Sequence, residues 1–243
     1  MRLQFIGSGD AFGSGGRSNT CFHLIGDRTN MIIDCGASSL PAMKMLGIDR
    51  NAIDTILLTH FHADHFGGIP FFVLDAQLIA KRKRPLLIMG PPRLPDWFAR
   101  ACALAFPGER TLPFELTLRE VEIGGRNQLS GIVVTPFHMR HDDRAGPCLA
   151  YRIEAEGKTV CYSGDTEWVD ALADAAFGAD LFICECYMYE KVVRAHLSLS
   201  VLRRHLPSIG AKRVILTHMS DDMLGRLGDL EYETAEDGKM VEF

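Results

Sequence analysis

The sequence predicts a layered α/β fold, two β-sheets with helices on their outer faces, in which the chemistry gathers along one edge. Three observations predict it. Strand-like and helix-like runs are mixed through both halves of the chain. The segment Thr59-His60-Phe61-His62-Ala63-Asp64-His65 follows an apolar, β-branched run, Ile53 to Leu58. Three further segments that carry histidine or aspartate each follow another strand-like run. Potential ligands at the ends of four strands can converge on one edge, where loops carry function.

In chain order, strands are expected near 2–6, 20–25, 30–33 and 54–58, with helices near 38–46 and 66–82. Leu86-Leu87-Ile88-Met89 reads as a further strand, followed by a helix near 95–105. The second half predicts strands near 114–122, 131–137, 148–154, 158–162, 180–184 and 213–216, with helices near 167–176, 198–206 and 221–227. The helical run Val201 to Leu206 has Ser198 or Ser200 as its N-cap. Lys81-Arg82-Lys83-Arg84 reads as the solvated end of a helix, its cations complementing the C-terminal dipole. No linker or low-complexity stretch interrupts residues 1–243, so a single domain is expected.

Bulk properties narrow the function classes. With 243 residues the chain can bury one large core. A net charge of −5 gives no global basic field to attract nucleic acid. The seven cysteines are scattered, form no Cys-x-x-Cys pair and mostly sit in apolar runs. That usage suits buried thiols of a reducing, cytoplasmic compartment. Because Met1 to Gly7 reads directly as a strand, no signal peptide is expected, and no apolar stretch is long enough to span a membrane.

Three histidines and an aspartate within His60 to His65 are the ligands that zinc and its neighbours prefer. Side chains alternate along a strand, so His60 and His62 leave it on the same side. Asp64 and His65 come after the turn and can face a second point a few Å away. Two metals need more ligands. Candidates lie in Thr135-Pro136-Phe137-His138-Met139-Arg140-His141-Asp142-Asp143, in Cys161-Tyr162-Ser163-Gly164-Asp165-Thr166 and in Val214-Ile215-Leu216-Thr217-His218-Met219-Ser220.

With these motifs the chain resembles the metallo-β-lactamase-fold hydrolase superfamily. Within it, the sequence is most similar to the branch of ribonuclease Z and the phosphodiesterase of the phosphonate-utilisation pathway. Phe5-Ile6-Gly7-Ser8-Gly9-Asp10, Ile33-Asp34-Cys35-Gly36, Leu58 to His65, Tyr162 to Thr166 and Ile215 to Ser220 carry the match. The resemblance implies a four-layer αββα sandwich and two divalent metal ions, zinc by ligand type, with manganese, iron or nickel as alternatives. It implies that His60, His62 and His141 hold the first metal, that Asp64, His65 and His218 hold the second, and that Asp165 bridges them. His138 is the alternative to His141. In the family a hydroxide shared by the two metals is the nucleophile; zinc brings the pKa of bound water to about 7. The resemblance also implies that Asp64, Glu185 and His196 act in catalysis. Glu185 closes the run Leu181-Phe182-Ile183-Cys184, and would orient and charge His196, which would protonate the leaving oxygen or contact the phosphate.

Substrate contacts are expected from Arg140 and Arg144, which flank His141, and from Arg17 or Ser18 in the glycine-rich loop after the first strand. Ribonuclease Z enzymes carry a protruding arm; here Arg93 to Arg126 reads as one helix and a strand pair, without a long insertion. Ser220 leads into Asp221-Asp222 rather than a basic residue. Both departures favour a small, possibly cyclic, phosphodiester substrate over RNA. Alternatives are a ribonuclease Z-type endonuclease and a hydrolase of lactone, thioester or sulfate esters. A fourth reading, a non-enzymatic metal-binding or interaction protein, is disfavoured by the complete ligand set. A homodimer is expected by family analogy.

Overall fold

Short β-branched and aromatic runs pair here into two sheets that face each other. The structure is a computed structural model that describes residues 1–108, 111–144 and 146–243. The first sheet contains β1 (Arg2–Gly7), β2 (Cys21–Ile25), β3 (Asn30–Ile33), β4 (Thr55–Leu57), β5 (Leu86–Gly90), β6 (Leu116–Glu120) and β14 (Met240–Glu242). Its order is β14-β1-β2-β3-β4-β5-β6. The second contains β7 (Asn127–Leu129), β8 (Ile132–Met139), β9 (Cys148–Ala155), β10 (Lys158–Tyr162), β11 (Leu181–Glu185), β12 (Val214–Thr217) and β13 (Glu233–Thr234). Its order is β13-β12-β11-β10-β9-β8-β7.

Each sheet is antiparallel in one half and parallel in the other. Strands β3 to β6 run parallel, as do β10 to β13. Parallel strands end on the same edge, and ligand-bearing loops in such sheets follow the carboxyl ends. The loops after β4, β10, β11 and β12 therefore open together. Strand β8 is antiparallel to β9, and β9 to β10, so β8 runs with β10 and delivers His141 to the same edge.

Three apolar layers hold the sandwich. Between the sheets, Leu3, Phe5, Phe22 and Leu57 meet Val134, Tyr151, Tyr162 and Ile183. Phe22 bridges this layer, edge-to-face with Phe5 at 5.1 Å and with Tyr162 at 4.9 Å. Outside the first sheet pack α1 (Ser39–Met45), α2 (Ala63–Phe66), α3 (Ile69–Leu78) and α4 (Leu94–Ala105), through residues such as Ile69, Phe72 and Leu94. Outside the second lie α5 (Asp170–Ala176), α6 (Leu199–Ile209) and α7 (Asp221–Leu224), through Leu172, Leu202 and Met223. The architecture is the expected αββα sandwich. Each side chain fully buried in these layers contributes about 1.5–3 kcal/mol. No described helix is long and apolar enough to cross a membrane.

Four local expectations change. The helix expected over 66–82 is two helices, α2 and α3. The chain turns at Gly67-Gly68, where the Gly68 N–H donates to the Cys35 carbonyl at 2.8 Å and a Cβ would strike the Gly36 carbonyl. Helix α3 stops at Leu78, so the basic run that follows is not a helix end. Arg82 within it is 1 % exposed, and donates to the carbonyls of Arg84 at 2.8 Å, Arg50 at 3.2 Å and Pro85 at 2.6 Å. It closes a turn from within, a role that composition alone hides. The strand pair expected within 93–126 does not form: among the described residues that region holds one strand, β6, which edges the first sheet, while β7 begins at Asn127 and edges the second. Finally, the C-terminal segment supplies β13 to one sheet and β14 to the other, both too short for periodicity to show.

Replacing Arg82 with Met leaves the carbonyls of Arg50, Arg84 and Pro85 without this donor. The variant is expected to lose about 3 kcal/mol of stability, read as a lower urea midpoint at unchanged slope.

Candidate metal centre

The ligand loop begins where β4 ends. His60 lies two residues beyond Leu58, and His62 is still extended, at φ −66° and ψ 148°. Helix α2 then starts, with the His62 carbonyl accepting from the N–H groups of His65 at 3.0 Å and Phe66 at 2.9 Å. That single turn swings Asp64 and His65 away from the first two histidines. Two clusters result: His60 with His62 and His141, and Asp64 with His65, Asp165 and His218.

Asp165 joins the clusters. Its Oδ2 lies 3.9 Å from His60 Nε2, 3.8 Å from His141 Nε2 and 3.3 Å from His218 Nε2, while Oδ1 lies 3.3 Å from His65 Nε2. His141 Nε2 is 3.0 Å from His62 Nδ1. Metal–ligand bonds of ~2.1 Å in a tetrahedron place the ligand atoms ~3.4 Å apart. The spacings are those of a coordination polyhedron. His60 Nε2, His65 Nε2 and Asp165 Oδ1 are buried without a hydrogen-bond partner. Buried polar atoms are rarely left so, and a bound divalent cation satisfies all of them. The donor set of imidazoles and carboxylates fits that ion.

Outer partners fix the rings. His65 Nδ1 lies 2.7 Å from Asp34 Oδ2, His60 Nδ1 3.0 Å from Thr59 Oγ1, His141 Nδ1 2.8 Å from the Ala195 carbonyl, and His218 Nδ1 3.3 Å from Thr20 Oγ1. Each ring thus turns Nε2 inward. His62 is the exception: it turns Nδ1 inward, and its Nε2 lies 3.6 Å from Asp142 Oδ2. Three non-glycine residues here take the left-handed conformation: Asp34 at φ 59°, Ala195 at φ 70° and His218 at φ 56°. Each costs on the order of 1 kcal/mol, a strain tolerated where function over-determines the backbone. Gly164, at φ 57°, sets Asp165; a Cβ there would meet the Leu149 carbonyl at 2.5 Å.

Burial, reinforced by neighbouring histidines, holds His60 well below the ordinary imidazole range and lowers His62, keeping both in the neutral, ligating form. His65 moves the other way. Burial opposes its charge, but Asp165, Asp64 and Asp34 together raise it well above the ordinary value. Burial likewise opposes the charge on Asp64 and Asp165, yet the histidines around them hold both below the carboxylate range. The cluster is built around positive charge.

Beside it stands His196. Its Nδ1 lies 3.2 Å from Glu185 Oε2, and its ring centroid is 4.9 Å from that of His141 and 4.8 Å from that of Tyr187. Glu185 is fully buried and also accepts the N–H groups of Thr166 and, at 3.2 Å, Leu197. Burial disfavours the His196 cation, but Glu185 outweighs it and the ring is raised to about 9. The cleft above these groups encloses about 140 Å³.

The structure brings together all seven expected ligands, with Glu185 and His196. His138 stays outside, exposed, with Nε2 3.3 Å from Asp143 Oδ1. None of the three arginines expected at substrate lines the cleft. Arg17 donates to the Ala235 carbonyl at 2.6 Å. Arg144 is bound to Asp142 through Nε at 2.8 Å. Arg140 is exposed, and only its backbone engages the site region, through the Thr166 hydroxyl at 3.1 Å. Tyr187, Ala11 and Phe12 line the cleft instead. Sequence reading gave Asp34 no role, although it stands in the same kind of strand-end motif as the ligands.

Chelation is expected to lower the melting temperature by about 5–10 °C, reversed by adding metal back, because the ion binds only the folded chain. Asp34→Ala is expected to weaken metal binding by about 10–100-fold in a competition titration with a chromophoric chelator. Asp34→Asn should lose less, since asparagine keeps an acceptor and tolerates the left-handed backbone.

The family model for the Anti-Pycsar protein Apyc1 matches residues 1–239. Ribonuclease Z of Agathobacter rectalis is 28% identical over 286 aligned residues, covering 92% of this chain and 91% of that protein. The Anti-Pycsar protein Apyc1 of Bacillus phage vB_BsuM-Goe3 is 26% identical, covering 99% and 97%. The metallo-β-lactamase-fold protein YhfI of Bacillus subtilis superposes with a TM-score of 0.81 at 20% identity, across 100% of this chain and 99% of that one. A fold shared along the full length and a family match that includes every ligand loop lead to one conclusion: this chain has the metallo-β-lactamase fold and belongs to the Anti-Pycsar protein Apyc1 family.

Proposed function

We propose that the protein is a dinuclear metal-dependent phosphodiesterase acting on small or cyclic phosphodiesters. The observation that carries this reading is the pairing of two ligand clusters through Asp165 with a glutamate-held histidine, His196, at the mouth of the same cleft. When bound, two divalent ions, zinc by ligand type, supply Lewis acidity and a hydroxide at neutral pH. His60, His62, His141 and Asp165 would hold one, and Asp64, His65, His218 and Asp165 the other.

The remaining chemistry belongs to side chains. Breaking a phosphodiester needs a proton for the departing oxygen. His196 holds that proton on Nε2, because Glu185 takes Nδ1–H and favours the charged ring. The backbone N–H groups of Thr166 and Leu197 keep Glu185 in place. Asp64 sits at the cleft wall between His65 and His218, whose charge favours its ionised form. A cleft of about 140 Å³ rimmed by Phe12 and Tyr187 suits a phosphodiester with its nearest substituents. The Arg93–Arg126 region supports a small substrate as well, since among its described residues it holds one helix, α4, and one strand, β6. Similarity to ribonuclease Z over nine-tenths of that protein's length keeps an RNA-processing role as the second reading. Cleavage of a transfer-RNA precursor at a rate exceeding that on small diesters would favour it.

The deciding experiment measures metal content and turnover of bis(p-nitrophenyl) phosphate and cyclic nucleotides, for wild type and Asp165→Ala. Two metals per chain, with turnover lost in the variant, are expected. Two metals with no turnover of any phosphodiester would sink the reading and direct attention to lactones, thioesters and sulfate esters. His196→Ala is expected to keep its metals and lose about 10²–10⁴-fold in kcat on alkyl esters. On p-nitrophenyl esters, whose leaving group needs little protonation, the loss should be much smaller.

A further inference from the structure

We propose that the protein carries a second ligand site, for a small phosphomonoester, at the end of the sandwich remote from the metal centre. A cavity of about 310 Å³ opens there between the two sheets. That is near the lower end of ligand pockets, about 300–1,000 Å³. Thr55 and Leu87 reach it from the starts of β4 and β5, whereas the metal ligands follow the far end of β4. Thr55 and His60 are five residues apart, about 17 Å of extended chain. The opening exists because β6 and β7 edge different sheets and leave the core unclosed between them.

Three arginines, Arg28, Arg84 and Arg119, line this cavity together with one carboxylate, Asp54. In a chain of net charge −5 this is a local cationic excess. Six arginines elsewhere, Arg50, Arg126, Arg144, Arg203, Arg213 and Arg226, each meet a carboxylate. Among the described residues the Arg28, Arg84 and Arg119 guanidinium groups form no ion pair, and Arg119 only reaches the Gln128 carbonyl at 3.4 Å.

Two of the three are presented by turns that are pinned from beneath. Buried Arg82 grips the Arg84 and Pro85 carbonyls, which fixes the turn that carries Arg84. Glu156 accepts the N–H groups of Asp27 at 2.9 Å and Arg28 at 3.0 Å and the Thr29 hydroxyl at 2.7 Å, which fixes the turn that carries Arg28. The basic run in the sequence thus has one member inside the fold holding another at the cavity.

The chemistry of the walls defines the ligand. Guanidinium forks match phosphate oxygens in pairs. The threonine hydroxyls of Thr55 and Thr117 add polar contacts, and Leu87, Leu129 and Ile132 form an apolar floor for an organic group. A phosphomonoester, with close to two negative charges at pH 7, fits this combination.

The test is calorimetric titration of AMP into metal-loaded wild type, Arg84→Gln/Arg119→Gln and Asp165→Ala. AMP also meets the metal centre, so the wild type is expected to show two sites. The double variant should weaken one of them about tenfold or more. Its metal content, and any rate on bis(p-nitrophenyl) phosphate, should equal those of wild type. Asp165→Ala should retain the site that the double variant weakens. An isotherm unchanged in the double variant overturns the proposal, as does complete loss of AMP binding in Asp165→Ala. Both readouts are binding, so they stand apart from whether phosphodiesters are turned over.

Discussion

A buried carboxylate, Asp165, stands between two groups of imidazoles, and the surrounding structure serves to make that placement tolerable. A charge held nearly out of water costs several kcal/mol unless it is matched by opposite charge and directed contacts. The chain brings that match from three separate loops, those after β4, β8 and β12. His60, His65, His141 and His218 all come within 4 Å of the Asp165 carboxylate. Parallel strands make this possible, because their carboxyl ends open on one edge and bring distant sequence segments to one point.

Precision at that point comes from the next ring of contacts. Asp34, Thr59, Thr20 and the Ala195 carbonyl each occupy the outward nitrogen of one histidine, so the inward nitrogen has a single direction. Left-handed backbone at Asp34, Ala195 and His218 shows that the site is held against local preference. The inter-sheet apolar layer resists relaxation of these residues, since close-packed interiors transmit strain instead of absorbing it. The same layer ends at β6 and β7, and the gap left there opens the arginine-lined cavity.

Much of this was legible in the residues. Short apolar, β-branched runs located most of the strands, and four candidate ligands within His60–His65 marked the centre. The reason is physical: buried strands need β-branched side chains, and metals need specific donor atoms. Where the reading failed, non-local contacts decided. Arg82 reads as a solvated cation, and only the carbonyls of Arg50, Arg84 and Pro85 converging on it make it interior. Arg144 has the right neighbour in sequence for a substrate contact, but Asp142 is nearer. The break between α2 and α3 arises from contact with the Cys35–Gly36 loop, some thirty residues away. Which ring nitrogen a histidine turns inward is likewise a property of its partners and not of its spacing.

The path of the last residues has a further consequence. After β12, the chain adds β13 to the second sheet and then crosses to add β14 to the first, where Leu3 pairs with Val241. One short segment is therefore hydrogen-bonded into both layers. Neither sheet can open without pulling on the other, which couples them into one cooperative unit in place of two halves that melt in turn. Hydrogen exchange along β1 and β12 should then report a common opening energy. An enzyme whose ligands are divided between the two sheets gains from this coupling, because partial opening that would separate His60 from His218 is tied to loss of the whole fold.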